Sequence, residues 1–201
     1  MTGKKKAAMN LESRNMEEAC LIRLREKLED VSTSIVSSQP PVNCRHTTLK
    51  RASILVLLDK EGNVLFNKRS LKLKSHPGEV CFPGGKQDEE DLSSDKYQDP
   101  NVTTALRECH EEVGLEFCLD DNQNNNSEAS ALPRLQILGA LPTIESLHHL
   151  CVTPIVAVAP DLTHHELHPR MILNLDEVET AFWTPLRFFA QHTPVELFPL
   201  E

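Results

Sequence analysis

Arg107-Glu108-Cys109-His110-Glu111-Glu112-Val113-Gly114-Leu115 is the stretch on which the reading of this chain turns. Glu108, Glu111 and Glu112 stand at i, i+3 and i+4, which puts three carboxylates on one face of a helix. Both ends of that helix are written into the flanking residues. Asp99 suits the N-cap and Pro100 the first helical position, and Gly114 suits the C-terminal cap. Val102, Ala105 or Leu106, Cys109 and Val113 form an apolar stripe on a different face. The helix is therefore expected to pack through one side and present concentrated negative charge from another. Like charges so spaced repel by roughly a few tenths of a kcal/mol per pair, and the macrodipole disfavours anions near a helix C-terminus. A solvated acidic face is the plain reading. Carboxylates set against both the dipole and one another point instead to an external cation. Hard divalent ions such as Mg²⁺ favour carboxylate oxygens and bring phosphate oxygens with them. The residues alone thus suggest a Mg²⁺ or Mn²⁺ site for phosphate chemistry.

Outward from the helix, strand patterns dominate. Ala52 to Leu58 is an apolar run, Asp59-Lys60-Glu61-Gly62-Asn63 a turn, and Val64 to Arg69 a returning strand, together a β-hairpin. Ser70 to Gly78 is a basic loop, Glu79 to Phe82 a short strand ending in Pro83-Gly84-Gly85, and 86–98 a polar, acidic loop. Asp120 to Ser130 is an Asn-rich loop. Leu135 to Leu141, Val152 to Ala159 and Thr180 to Trp183 are strand candidates, and Pro185 to Gln191 starts a helix. Phe182 and Trp183 are expected in the core, with Phe188 and Phe189 on the apolar face of the last helix. Strands alternating with a few helices give an α/β or α+β domain over 49–201. Before it, 1–14 is polar and expected to be disordered, Met16 to Val31 has the spacing of an amphipathic helix, and Ser32 to Thr48 reads as a linker.

Bulk composition narrows the classes. Of 201 residues, 39% are hydrophobic, enough for one core, and the formal net charge of −9 disfavours general nucleic-acid binding. A polyanionic substrate would need a local basic patch or a bound cation. The six cysteines are scattered without a CxxC pair, which argues against zinc ribbons and thioredoxin-like redox sites. Cys109 and Cys151 lie in apolar runs and read as small hydrophobes, in keeping with a reducing intracellular compartment. No apolar run approaches the ~20 residues of a membrane span. His148-His149 and His164-His165-Glu166-Leu167-His168 lack HExxH spacing and read as loop or surface histidines. No GxSxG occurs, so a Ser/His/Asp hydrolase is unsupported.

Gly85, an acidic stretch and then RECHEEVGL together resemble the Nudix box, in which a glycine, five residues and a glutamate lead over seven residues to Arg-Glu-apolar-any-Glu-Glu-any-Gly-apolar. The second half matches in full. In the first half the glutamate position is Asp91, and fifteen residues separate it from Arg107, extra length that a loop tolerates. Arg69-Ser70, Lys74, Gly78 and Phe82-Pro83-Gly84-Gly85 resemble the signature of the coenzyme A diphosphatase branch of Nudix enzymes. Lys74 stands where that branch has arginine, and Leu65-Phe66-Asn67 where it has Leu-Leu-Thr.

The resemblance implies a Nudix fold, a mixed β-sheet sandwiched between helices. It implies Glu108, Glu111 and Glu112 as ligands of Mg²⁺ or Mn²⁺, with Arg107 orienting them. It also implies Arg69, Lys74, Gly84 and Gly85 at a small-molecule nucleotide of the coenzyme A type. The expected products are 3′,5′-ADP and (acyl-)4′-phosphopantetheine. Lys68, Arg69, Lys72, Lys74 and His76 supply the local cationic loop that such a substrate needs. Glu145 and Glu177 are both open as general base. Two alternatives stand beside this reading: a Nudix hydrolase of another nucleoside diphosphate derivative, and a catalytically impaired Nudix-like binding module. The second arises because sixteen residues follow Pro185, where relatives of this type continue, so the domain is expected to be shortened. Peroxisome or mitochondrion follows from the resemblance. The ending Phe198-Pro199-Leu200-Glu201 is not an SKL-type signal, and Glu12, Glu17 and Glu18 do not suit a transit peptide, which leaves cytosol.

Overall fold

In the computed structural model, the described residues are 50–93, 97, 99–119, 132–146 and 149–192. The expected N-terminal helix, the linker and the Asn-rich loop lie outside them. The hairpin forms as read, from β1 (Lys50–Leu58) and β2 (Asn63–Arg69), antiparallel with Leu58 opposite Val64. The other strands are β3 (Val80–Cys81), β4 (Gly84–Lys86), β5 (Cys118–Leu119), β6 (Arg134–Ala140), β7 (Ile144–Glu145), β8 (Leu150–Val158) and β9 (Val178–Pro185). They run β3-β2-β1-β8-β6-β5, with β4 on β1, β7 on β8 and β9 on β2. The β1/β8 and β5/β6 pairs are parallel and the others antiparallel, so the sheet is mixed.

The central strands carry unbroken apolar runs, Ile54–Leu58 in β1 and Ile155–Val158 in β8, because both faces are covered there. Side chains alternate across a strand. Leu55 and Leu57 of β1, Leu65 of β2 and Ile155 and Ala157 of β8 pack on one face with Val102, Ala105, Leu106, Cys109 and Val113. These last five belong to helix α2 (Pro100–Val113) and are the stripe expected from its sequence. Each fully buried Leu or Val contributes about 1.5–3 kcal/mol. On the opposite face Leu58, Val64, Val156 and Val158 pack with Phe66, Phe82 and Leu186, the last from helix α4 (Leu186–His192). The fold is thus a mixed sheet between helices, as the resemblance implied.

Several elements were not anticipated, among them strand β4 at the glycine corner. Glu89–Ser93 forms helix α1 inside the acidic segment expected to be a loop, and β5 and β7 are two-residue strands. His164–Leu167 forms helix α3, followed by a 3₁₀ turn at His168–Arg170, in place of the expected histidine loop. A Thr163–Glu166 capping box starts it, and its first residue is held by Asp59, fully buried in the β1–β2 turn. Asp59 accepts from the backbone N–H of Glu61, Asn63 and His164 and from the Asn63 amide, and its carboxylate lies 2.9 Å from His164 Nδ1. His164 is therefore a half-buried partner of a buried carboxylate and not a free surface histidine.

Two further expectations are corrected. Phe182, placed in the core from sequence, is exposed on β9, where strand alternation turns it outward. Phe188 and Phe189 do lie on the last helix, and Phe189 packs on Phe66 with ring centroids 5.5 Å apart, though both stay partly exposed. Cys109 is free and fully buried, as expected, but Cys151 is disulfide-bonded, against the reading of it as a reduced small hydrophobe.

Candidate active site

Helix α2 is held at both ends as its sequence dictates. The Asp99 carboxylate accepts from Asn101 N–H, and Gly114 adopts φ 72, which a side chain would strain. The free carbonyls of the last turn are taken by the segment before β9: Asn174 N–H donates to Glu112 O at 3.0 Å and Ile172 N–H to Val113 O at 2.8 Å. That segment also brings Glu177 close, since its carbonyl accepts from Ser70 N–H at 2.8 Å.

The three glutamates meet different surroundings. Glu112 is 3% exposed. Its Oε2 accepts from Gly84 N–H at 3.1 Å and from Asn67 Nδ2 at 2.9 Å, while its Oε1 lies 4.0 Å from Arg69 Nη1. Burial is the main force on its proton affinity. The Gly84 hydrogen bond and Arg69 oppose it and the charges of Glu108 and Glu177 add to it, and the carboxyl is pushed up to about 7. Glu108 is also raised, by burial first and then against the pull of Arg107, with Glu111 and Glu177 adding repulsion. Glu111 is half exposed and bonded to Arg107.

Arg107 organises the cluster. Its Nη1 lies 3.1 Å from Glu108 and 2.9 Å from Glu111, so the guanidinium stands between the two. Its other side donates to both oxygens of Asp91 at 2.9 Å and to Lys86 O at 3.0 Å. Asp91, which stands at the glutamate position of the box, is thereby an anchor for Arg107. Burial pushes the Asp91 carboxyl up, but hydrogen bonds from Arg107, Asp88 N–H and Thr104 outweigh it and hold the carboxyl below its ordinary range. The long Asp91–Arg107 spacing is absorbed by chain between α1 and α2, so the contact survives.

The two glycines have separate uses. Gly84, at φ 155, faces backbone: a Cβ there would meet Ser53 O and stand 2.6 Å from Ile54 Cα. A Cβ on Gly85 would collide with the Glu108 carboxylate. The Phe-Pro-Gly-Gly corner is therefore shaped around two of the glutamates.

The expected basic loop is less cationic than its sequence. Lys68 pairs with Glu179 at 3.0 Å, Lys72 with Asp176 at 2.9 Å and His76 Nδ1 with Glu79 at 2.8 Å. Arg69 turns inward toward Glu112, and Lys74 is exposed. A cavity of about 310 Å³ nearby is lined by Lys50, Arg51 and Lys86 but also by Asp88 and Glu89. Its charges nearly cancel, so it does not extend a cationic surface.

Of the two open candidates for a base, Glu177 lies close enough for its charge to raise both Glu108 and Glu112. Glu145 sits on β7 with its carboxylate 2.9 Å from His149 Nδ1. Sequence reasoning missed Asn67, Asp59 and Thr104. The signal for Asn67 was its place two residues after Leu65, on the inward face of β2.

Among the described residues, three ligand atoms lie within 4.8 Å of one another only at Asp59, Glu61 and His164. That group is already filled by donors to Asp59. The three box carboxylates stand further apart, with Arg107 between two of them. Their chemistry nevertheless fits a hard divalent cation: the oxygens are carboxylate, Glu108 and Glu112 are largely buried, and Gly85 leaves the Glu108 carboxylate the space a Cβ would fill.

A mixed sheet between helices with a clamped glutamate helix defines a class, and comparison with known proteins names it. The NUDIX domain model matches residues 48–196, and the chain belongs to that family. It is 34% identical over 154 residues to the peroxisomal coenzyme A diphosphatase ndx-8 of Caenorhabditis elegans, covering 75% of this chain and 55% of that protein. It is 31% identical over 166 residues to the mouse peroxisomal coenzyme A diphosphatase NUDT7, covering 81% of this chain and 58% of the relative. The chain thus spans a little over half the length of these relatives. A NUDIX hydrolase structure from Alicyclobacillus acidocaldarius superposes with a TM-score of 0.51 at 20% identity, covering 72% of this chain and 82% of the other. This likeness supports the fold alone. No helix among the described residues is long and apolar enough to cross a membrane.

Proposed function

We propose that this chain hydrolyses the diphosphate linkage of coenzyme A or an acyl-coenzyme A, adding water to give 3′,5′-ADP and (acyl-)4′-phosphopantetheine. One observation carries the reading: Glu112, buried and pushed up to about 7, is set beside Glu108 at the Gly84–Gly85 corner. A buried carboxylate of this kind is costly unless a cation compensates it. Glu108, Glu111 and Glu112 would hold Mg²⁺ or Mn²⁺, which when bound neutralises diphosphate charge and acidifies water. Arg107, anchored by Asp91, orients Glu108 and Glu111. Arg69 and Lys74 face the substrate's phosphates, and Gly84 and Gly85 let the backbone approach. Glu177 is the group we assign to proton transfer, because its charge reaches both buried glutamates.

The substrate assignment leans on the two coenzyme A diphosphatases among the relatives and on the Arg69–Gly85 signature. The compartments in relatives' names, peroxisome and mitochondrion, are the ones we carry over. Purified protein is incubated with Mg²⁺ or Mn²⁺ and coenzyme A, acyl-coenzyme A, ADP-ribose, NADH or dinucleoside polyphosphates, and the products are separated by chromatography. We expect 3′,5′-ADP from the coenzyme A compounds. Faster turnover of another compound would overturn the substrate, and turnover of none would overturn the activity.

A further inference from the structure

We propose that Asn67 is a positioning residue that fixes which oxygen of Glu112 faces a divalent cation. The inference rests on the reading of Glu112 as a metal ligand and goes beyond it to a residue outside the box. Asn67 is fully buried in β2, between Cys81 of β3 and Ala181 of β9 in the strand register. A polar side chain in such a place needs partners. Its Nδ2 has one, Glu112 Oε2 at 2.9 Å, while its Oδ1 is buried without a hydrogen-bond partner.

The amide is thus oriented for the carboxylate at the expense of its own oxygen. Turned the other way, it would set oxygen against oxygen. Gly84 N–H donates to the same Oε2. Two donors from two different strands saturate that oxygen and set the carboxylate plane. Oε1 is left with only Arg69 Nη1, at 4.0 Å, beyond hydrogen-bond reach. Oε1 is therefore the atom available to a cation, and its direction is set by Asn67 and Gly84 before any cation arrives. Pre-setting a ligand in this way removes an ordering cost from binding.

The test measures Mn²⁺ binding to the full chain by electron paramagnetic resonance for wild type, Asn67→Leu, Asn67→Thr and Glu112→Gln. Unfolding temperature in EDTA reports the fold of each. Asn67→Leu removes the donor, and we expect Mn²⁺ affinity to fall at least tenfold, with kcat falling and KM for coenzyme A changing less than twofold. Asn67→Thr keeps a donor of shorter reach, and we expect an intermediate loss of at least threefold. A purely structural role would lower the unfolding temperature in EDTA and leave Mn²⁺ affinity within twofold of wild type; that result overturns the proposal. If Asn67→Leu does not fold, Asn67→Thr decides by the same criterion. Wild-type Mn²⁺ affinity in Glu112→Gln would instead sink the metal reading on which the proposal stands.

Discussion

Replacing Glu112 by glutamine should stabilise the metal-free protein at alkaline pH, an unusual outcome for a buried side chain with good hydrogen bonds. The folded protein holds the Glu112 proton up to about pH 7, against an ordinary carboxyl value of 4.5. At about 1.4 kcal/mol per tenfold change in proton affinity, that difference is on the order of 3 kcal/mol. The sign follows from linkage. Between pH 4.5 and 7 the folded state keeps a proton that the unfolded state has released, so the group's contribution is fully present below 4.5 and is lost as pH rises through 7. Glutamine keeps an oxygen for the Gly84 and Asn67 donors and carries no charge to bury. In EDTA at pH 8 the variant should unfold above wild type by about 6–12 °C for a domain of this size. At pH 4.5 the advantage should vanish. Adding Mg²⁺ at pH 8 should raise the unfolding temperature of wild type and leave the variant unmoved, because only a bound ligand stabilises the fold. Thermal unfolding followed by far-UV circular dichroism reads all three conditions. A Glu112→Gln protein no more stable than wild type in EDTA at pH 8 would refute the picture of an uncompensated buried carboxylate.

Gly85→Ala should leave the unfolding temperature within a few degrees of wild type yet cut kcat at least tenfold, since its Cβ displaces Glu108. Steady-state kinetics and thermal unfolding on the same preparation check both halves. Asp91→Asn should cost about 2–4 kcal/mol in urea unfolding, because it leaves Arg107 without its buried anion. Wild-type stability would show that the clamp is idle. The Asp91 carboxyl is held low, so its contribution is present above its ordinary value of 3.8 and lost as pH falls through the folded value. Asp59→Ala should cost about 3–5 kcal/mol by the same assay, through loss of the tie between the hairpin turn and His164. Its effect on Mn²⁺ affinity should be under twofold. A large loss there would mean that Asp59, Glu61 and His164 hold the metal instead.

How much of the site could be read in the sequence depends on how local each contact is. The Arg107–Glu111 pair is one helical turn apart, and the i, i+4 rule alone predicts it. The caps at Asp99 and Gly114 are likewise set by neighbouring residues. Asp91 was harder. Its identity and distance depart from the family pattern, and only the path of α1 into α2 shows that its carboxylate reaches Arg107. The cationic loop was overread, because Glu179 and Asp176, which neutralise Lys68 and Lys72, lie over a hundred positions away. Phe182 was misplaced for a related reason. An apolar residue in a strand tells little about which face it occupies until the strand's partners are fixed.

The sequence by itself determined the class of this protein. A capped helix with an apolar stripe and three carboxylates, preceded by Phe-Pro-Gly-Gly, identifies a Nudix domain because every part of that signal acts within a few turns of chain. Tertiary structure decided what each carboxylate does. Proton affinity and orientation depend on burial and on donors from other strands, which sequence spacing does not encode. Glu111 stays half exposed on Arg107, Glu108 lies against Gly85, and Glu112 is sealed beneath Gly84 and Asn67.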